Sequence, residues 1–241
     1  MTDDIITAGP EPAQTAQDGA GRPFLRLIAE RRSVRAYLDQ PVPRDLVEAV
    51  LDAARWAPSG ANMQPWKVRV LSGATKGMIT RALLDIRAAG QSPDPDYAYY
   101  PKEWVEPYKS RRTALGISLY GSEKGRRTPE ARQRRWGRNY AFFGAPVGLL
   151  FFLDGGLETG SWLDCGMFIQ NVMLAARAIG LETCPQVAIT DYPSTIRGVL
   201  GISREERLVC ALSLGYADWG QPINGFERSR AEAAQFTVFH D

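Results

Sequence analysis

Ser161–Pro185, SWLDCGMFIQNVMLAARAIGLETCP, is the stretch on which the fold turns. Ser161 followed by Asp164 has the order of a capping box, with Asp where Glu or Gln is usual, and Gly180 suits the C′ position that closes a helix. Between them Trp162, Leu163, Met167, Phe168, Ile169, Val172, Met173, Leu174 and Ile179 fall on every side of a helical wheel. Such a helix runs roughly 30 Å at 1.5 Å per residue. It has no solvent face, so protein must wrap it, either its own core or a second subunit. Asp164, Gln170, Asn171 and Arg177 would each be costly in hydrocarbon, so the segment reads as the post of a globular core and not as a membrane span.

The flanking segments supply a sheet and more helices. Pro146–Leu153 (PVGLLFFL) and Leu208–Tyr216 (LVCALSLGY) are continuous apolar runs of strand length, as expected for strands buried on both faces. Leu181–Ile189 is a third strand candidate. Trp66–Leu71 alternates Trp66, Val68 and Val70 against Lys67 and Arg69, a half-buried strand. In the tail, Phe236 and Val238 alternate as a terminal strand would. Helical periodicity marks Pro23–Arg32, Arg44–Ala57, Thr75–Ala89, Arg111–Leu119, Pro129–Phe143 and Tyr192–Leu200. The chain reads as one domain, 23–241, of class α+β: a three-layer α/β/α arrangement with a central sheet. Residues 1–22, acidic and Pro/Gly-rich without a basic start or apolar core, read as a disordered arm and not as a signal peptide. The cytoplasm is the expected compartment.

At 241 residues and a net charge of +2, the chain is large enough for a sizeable core and unsuited to general polyanion binding. Cys165, Cys184 and Cys210 are odd in number, widely spaced and set in apolar runs, so they read as small buried hydrophobes. The single histidine, His240, excludes Ser-His-Asp and Cys-His machinery and His-rich metal sites. Neither a P-loop nor G-x-G-x-x-G occurs. Difficult chemistry, if this is an enzyme, belongs to a bound cofactor.

An anionic cofactor has candidate ligands at both ends of the chain. Arg31-Arg32-Ser33-Val34-Arg35 and Arg228-Ser229-Arg230 combine fixed cationic forks with hydroxyls, the chemistry a phosphate monoester requires. In an extended Arg-x-Ser-x-Arg the alternate side chains share one side. The polar loop Pro58–Trp66 (PSGANMQPW) strengthens the pattern. Residues 90–110 hold four prolines and five aromatics, which suit a lid, a subunit contact or a loop packing its own rings. The basic face Arg132, Arg134, Arg135 and Arg138 reads as a solvated helix surface, with nucleic acid as the other reading.

R-R-S-V-R-A-Y, A-P-S-G-A-N-M-Q-P-W, G-L-E-T-C-P-Q, L-G-Y-A-D and the closing N-x-x-x-R-x-R together resemble the FMN-dependent nitroreductase family, from residue 23 to the end. The PDYAYYPKEW insert and GSWLDCGMFIQN resemble its nitrobenzoate-reductase-like branch. The resemblance implies a nitroreductase-like mixed sheet, an intertwined homodimer, FMN, and NADPH or NADH as reductant. It implies ping-pong reduction of nitroaromatics or quinones with no side-chain acid or base. By the same resemblance Arg31, Arg32, Ser33 and Arg35 hold the FMN phosphate, ribityl chain and part of the ring, and Arg228 and Arg230 clamp the phosphate. Pro58, Ser59, Gly60 and Asn62 come from the partner subunit, with Gln64 secondary, and Pro185, Gln186 and Val187 run near flavin N5. Tyr97, Tyr99, Trp104 and Tyr108 are candidates for substrate stacking. Relatives on this scaffold also perform reductive dehalogenation or flavin breakdown. Cys184–Val187 departs from the Gly-rich or acidic turn of many relatives, and the helix contacts to the flavin pyrimidine edge have no match within residues 76–110. Outside the family, a non-catalytic flavin- or nucleic-acid-binding module is the alternative.

Overall fold

The two continuous apolar runs become the two central strands. In the computed structural model, which describes residues 21–121 and 128–240, β2 (Val147–Asp154) and β4 (Glu206–Gly215) pair antiparallel. Leu149, Leu150, Phe151, Phe152, Leu208 and Leu212 are fully withdrawn from solvent. Both faces of these strands are covered, which is why neither run alternates. β1 (Lys67–Ser72) flanks β2 and β3 (Glu182–Gln186) flanks β4, giving the order β1-β2-β4-β3 with every pair antiparallel. The mixed character expected of the sheet is carried by one isolated parallel bridge between Ser33 and Thr183.

Helices close both faces. α2 (Arg44–Ala54) and α6 (Thr159–Ala178) build one core against the sheet through Val47, Val50, Phe168 and Val172. The other core joins α3 (Gly73–Ala88), the end of α5 (Pro129–Tyr140) and α7 (Pro193–Leu200) through Ile79, Leu83, Tyr140 and Ile196. This is the α/β/α layering expected. β1 touches both cores, Val68 on one side and Leu71 on the other, while Val70 stays about half exposed. The simple alternation read from its sequence therefore does not describe it. α1 (Arg22–Glu30) precedes these elements and α4 (Tyr108–Tyr120) follows the aromatic segment. Of the expected arm 1–22 only Gly21 and Arg22 fall within the described residues, and Arg22 already opens α1. No described helix is long and apolar enough to cross a membrane.

α6 departs from its reading at the start and agrees at the end. Glu158 is the N-cap, without a side-chain cap bond, and Ser161 is buried inside the first turn. Asp164 is not a capping partner, because its carboxylate accepts the backbone N–H of Gly60 at 3.1 Å. At the other end Gly180 has φ +84°. Its N–H reaches the Arg177 carbonyl, and the Leu181 N–H reaches Ala176, the paired bonds of a Schellman closure. The expectation that the helix has no solvent face fails within one chain: Leu163 is 69 % exposed and Met167, Gln170 and Leu174 are half-buried along the same stripe. Among the described residues the tail forms no strand. Phe236 and Val238 flank or follow a short 3-10 turn at Ala233–Gln235 and lie open to solvent, since no described strand pairs with them.

α5 turns into β2 through an unusual corner, Phe142-Phe143-Gly144, with φ of 52°, 53° and 86°. Two aromatic residues in the left-handed region are strained and must be held by packing. Gly148 provides that packing, since a Cβ there would lie 2.5 Å from the buried Phe142 ring. Gly148→Ala should therefore destabilise the protein by about 1–3 kcal/mol, read as a lowered denaturant midpoint.

Candidate functional site

An edge strand exposes unpaired backbone, and β3 is such an edge. The extended chain after α1 covers it. Ser33 bridges Thr183, the Val34 N–H donates to the Thr183 carbonyl at 3.0 Å, and the Leu38 N–H donates to the Tyr216 carbonyl at 2.9 Å. The tail then locks this segment from outside. Asn224, 1 % exposed, accepts the Arg35 N–H at 2.8 Å and donates to the carbonyls of Ala36 and Asp218, each at 2.8 Å. The two arginine motifs are thereby brought to one side of the fold. Pro185 can sit in β3 because an edge strand tolerates a residue without an N–H.

Beyond the end of β3 opens a cleft of about 610 Å³ lined by Arg35, Pro185, Gln186 and Val187 together with Tyr97, Tyr99, Tyr100, Trp136, Asn139 and Phe143. The Gln186 side chain is 3 % exposed and already engaged: its amide donates to the Asn139 carbonyl at 2.7 Å and its oxygen accepts the Ser213 hydroxyl. Its backbone pairs with Ala211 of β4. Tyr97 and Tyr99 reach the cleft as expected for stacking residues, and Tyr100 joins them. Trp104 and Tyr108 do not line it. Trp104 packs on Tyr100 and under Arg112, and Tyr108 begins α4 in an exposed position.

The cations separate into two groups linked by Phe226. Arg35 faces the cleft. Arg32 and Arg35 lie 5.6 and 5.7 Å from the Phe226 ring, and Arg32 donates to the Phe226 carbonyl. Arg228 donates to the carbonyls of Ala29 and Arg31 at the end of α1, and it borders, with Arg230, a cavity of about 820 Å³ between α4 and the tail. Burial and then the neighbouring Arg230 push the Arg31 guanidinium below its ordinary pKa, and the same two causes act on Arg228. Arg32 Nε is buried with no hydrogen-bond partner among the described residues. Crowded cations with an unanswered buried donor are what a phosphate group would relieve.

The loop with Pro58, Ser59, Gly60 and Asn62 lines neither cavity. It leads into β1, the sheet edge opposite β3. Ala61, Asn62 and Gln64 have φ of 50°, 54° and 49°, and the turn is held by Ser59 Oγ, which accepts the Gln64 N–H at 2.9 Å, and by Asp164. Three non-glycine residues in the left-handed region within four positions mark strain that the surroundings maintain.

Comparison with known proteins identifies the family and the fold. The model of the nitroreductase family matches residues 28–216. The chain belongs to the nitroreductase family. It is 42% identical over 217 residues to a 4-nitrobenzoate reductase of Pseudomonas putida, covering 90% of this chain and 95% of the relative. It is 40% identical to a nitrobenzene nitroreductase of Ectopseudomonas oleovorans, covering 90% and 97%. Among solved structures, the FMN-dependent nitroreductase NfnB from Mycobacterium smegmatis in complex with NADPH superposes with a TM-score of 0.87 at 32% identity, covering 92% and 99%.

In this nitroreductase-family chain the contribution of α5 to the cleft is not legible from the sequence. The sequence reads that helix as a solvated basic face, yet Trp136 and Asn139 line the cleft and Arg138 donates to the Arg35 carbonyl at 2.6 Å. The side chain of Arg132 lies outside the described residues. Trp136 and Tyr140, spaced four apart among the arginines, are the available signal for a packed face. All three cysteines are buried and free, and burial raises their thiol pKa, that of Cys184 to about 11.

Asp191 lines the cleft and accepts the Tyr140 hydroxyl at 3.1 Å. Burial pushes Tyr140 up to about 12, so it stays a donor, and burial also raises Asp191 above the ordinary aspartate range. With the folded value above the unfolded one, the folded state binds more protons between them. Stability from this group is complete below the ordinary range and falls as pH rises through the folded value. Asp191→Asn should remove that fall, read from urea midpoints across the mildly acidic range.

Proposed function

We propose that the chain is an FMN-dependent oxidoreductase that uses NADPH or NADH to reduce nitroaromatic or quinone acceptors, each substrate occupying the cleft in turn. The observation that carries this is the aromatic-walled cleft at the end of β3, lined by Arg35, with Arg31 crowded by Arg230 and bonded to Arg228 in the neighbouring arginine group. Bound FMN supplies a ring that takes a hydride from the nicotinamide and yields it to the acceptor. Arg31, Arg32, Ser33, Arg228 and Arg230 hold its phosphate end. Arg35 and the Pro185–Val187 segment would border the ring, where a cationic donor would favour negative charge on it. Tyr97, Tyr99 and Tyr100 stack on a flat acceptor and exclude water.

A second copy of the chain completes the site in this reading. Pro58, Ser59, Gly60 and Asn62 sit at the sheet edge away from the cleft, so they reach a cleft only across a subunit boundary. Apolar surface suited to such a contact is open on α1 at Phe24 and Leu25, on α6 at Leu163, and on the tail at Phe236, Val238 and Phe239. Nucleic-acid binding through α5 is disfavoured, because Arg138 is bonded to Arg35 and Arg135 lies 4.3 Å from the Tyr120 ring.

The purified protein should be yellow and should bleach on anaerobic addition of NADPH or NADH, with colour returning on addition of a nitroaromatic. Colourless protein after FMN is supplied would refute the proposal. Arg31→Ala combined with Arg230→Ala should sediment as the same dimer as the parent and lose its FMN on gel filtration. Retention of stoichiometric FMN by that variant would reject the phosphate site.

A further inference from the structure

The aromatic segment carries a buried ion pair at its base that the proposed reaction does not use. Arg197 on α7 donates to both carboxylate oxygens of Asp96, at 2.7 and 3.0 Å, with side chains 9% and 14% exposed. Asp96 immediately precedes Tyr97. The paired fork is a rigid connection between the loop and a helix of the core.

The pair also repairs an unfinished part of the sheet. β3 pairs with β4 only from Ala211 to Gly215, so the first half of β4 has no strand on that side. The register of β2 against β4 also slips at Val209. Side chains serve the backbone there. Asp96 accepts the Leu208 N–H at 2.8 Å, Arg197 donates to the Glu206 carbonyl at 3.0 Å, and the Tyr97 hydroxyl donates to the Val209 carbonyl. A buried backbone group left without a partner is costly, so this stretch of β4 and the base of the loop hold each other in place.

From that anchor the rings run outward in sequence. Tyr97 packs edge-on to Trp162 of α6 at 4.5 Å, Tyr99 follows Tyr97 at 6.3 Å, Tyr100 follows Tyr99 at 4.7 Å, and Trp104 follows at 5.4 Å. Beyond Asp96 this wall of the cleft is joined to the core by Tyr97 alone in hydrogen bonds among the described residues, while Tyr99 and Tyr100 are more than half exposed.

We propose that Asp96 and Arg197 form a positioning clamp that places the Tyr97–Tyr100 wall and thereby sets the affinity for a flat aromatic acceptor. The clamp rests on the acceptor reading above. Neither residue touches the acceptor; both act through the rings.

The test uses FMN-loaded enzyme carrying Asp96→Asn, which keeps an acceptor for Leu208 and removes the charge, or Arg197→Lys, which keeps the charge and removes the fork. With 4-nitrobenzoate the KM should rise about tenfold, as misplacement of a binding wall predicts. With ferricyanide, a small one-electron oxidant that needs no aromatic wall, kcat/KM should stay within about twofold of the parent under the same reasoning. Trypsin should cut at the exposed Lys102 faster in both variants. An unaltered nitrobenzoate KM in a variant whose loop is cut faster would overturn the proposal, as would equal losses with both oxidants. If neither single variant folds, Asp96→Asn combined with Arg197→Gln, which replaces the ion pair by a neutral hydrogen-bonding pair, applies the same comparison. A parent enzyme that bleaches with NADPH but reduces no nitroaromatic would refute the acceptor reading instead, leaving the trypsin result as the separate measure of the clamp.

Discussion

The outer edge of β3 is the constraint on which the rest of this molecule depends. Its backbone groups need partners, and the chain answers with the segment Ser33–Leu38, bonded to Thr183 on one side and to Tyr216 further along. That docking carries Arg31, Arg32 and Arg35 to the end of the sheet. Asn224 then fastens the tail over the same segment with two hydrogen bonds, to Arg35 and Ala36, so Arg228 and Arg230 arrive beside residues nearly two hundred positions earlier in the chain. One unsatisfied edge thus assembles the cationic half of the site.

Crowding those guanidinium groups is unfavourable in itself. Burial and mutual repulsion push Arg31 and Arg228 down, and only part of the charge is answered from within the chain. Arg177 is paired with Glu182 and, at 3.0 Å, with Glu30, while Arg32 Nε is buried without a partner among the described residues. Natural folds keep such arrangements where a ligand completes them. Backbone strain is found in the Ala61–Gln64 turn, away from both cavities, and in the Phe142–Phe143 corner that delivers Phe143 to the cleft. In each case a neighbour restrains the backbone: Asp164 for the turn, and the space over Gly148 for the corner.

The cleft has two walls of different character. The wall from β3 and α5 is fixed by bonds into the core, Gln186 to Asn139 and Ser213, and Tyr140 to Asp191. The opposite wall is a ladder of rings on an irregular segment, tied down at its base by Asp96 and Arg197. One wall is thus held by hydrogen bonds into the core, and the other by ring contacts above a single buried ion pair.

The sequence by itself determined the layers, the central strands and the family. Uninterrupted apolar runs such as Val147–Leu153 are what strands covered on both sides require, and the composition and motif order of the arginine, Pro58–Trp66 and tail segments carry the resemblance without geometry. Local pattern also placed Gly180 at the end of α6, since closing that helix needs a positive φ. What only the tertiary structure decided are the interactions between residues far apart in the chain. Asp164 reads as a cap but serves Gly60, and the tail's Phe236 and Val238 pair with none of the described strands. The basic helix became a wall of the cleft, and Asp96, one acidic residue in an irregular loop, became the partner of Arg197 a hundred positions away. Periodicity reports which face of an element is buried, but the partner of a buried charge or an open edge is chosen by whatever the folded chain brings within hydrogen-bond reach.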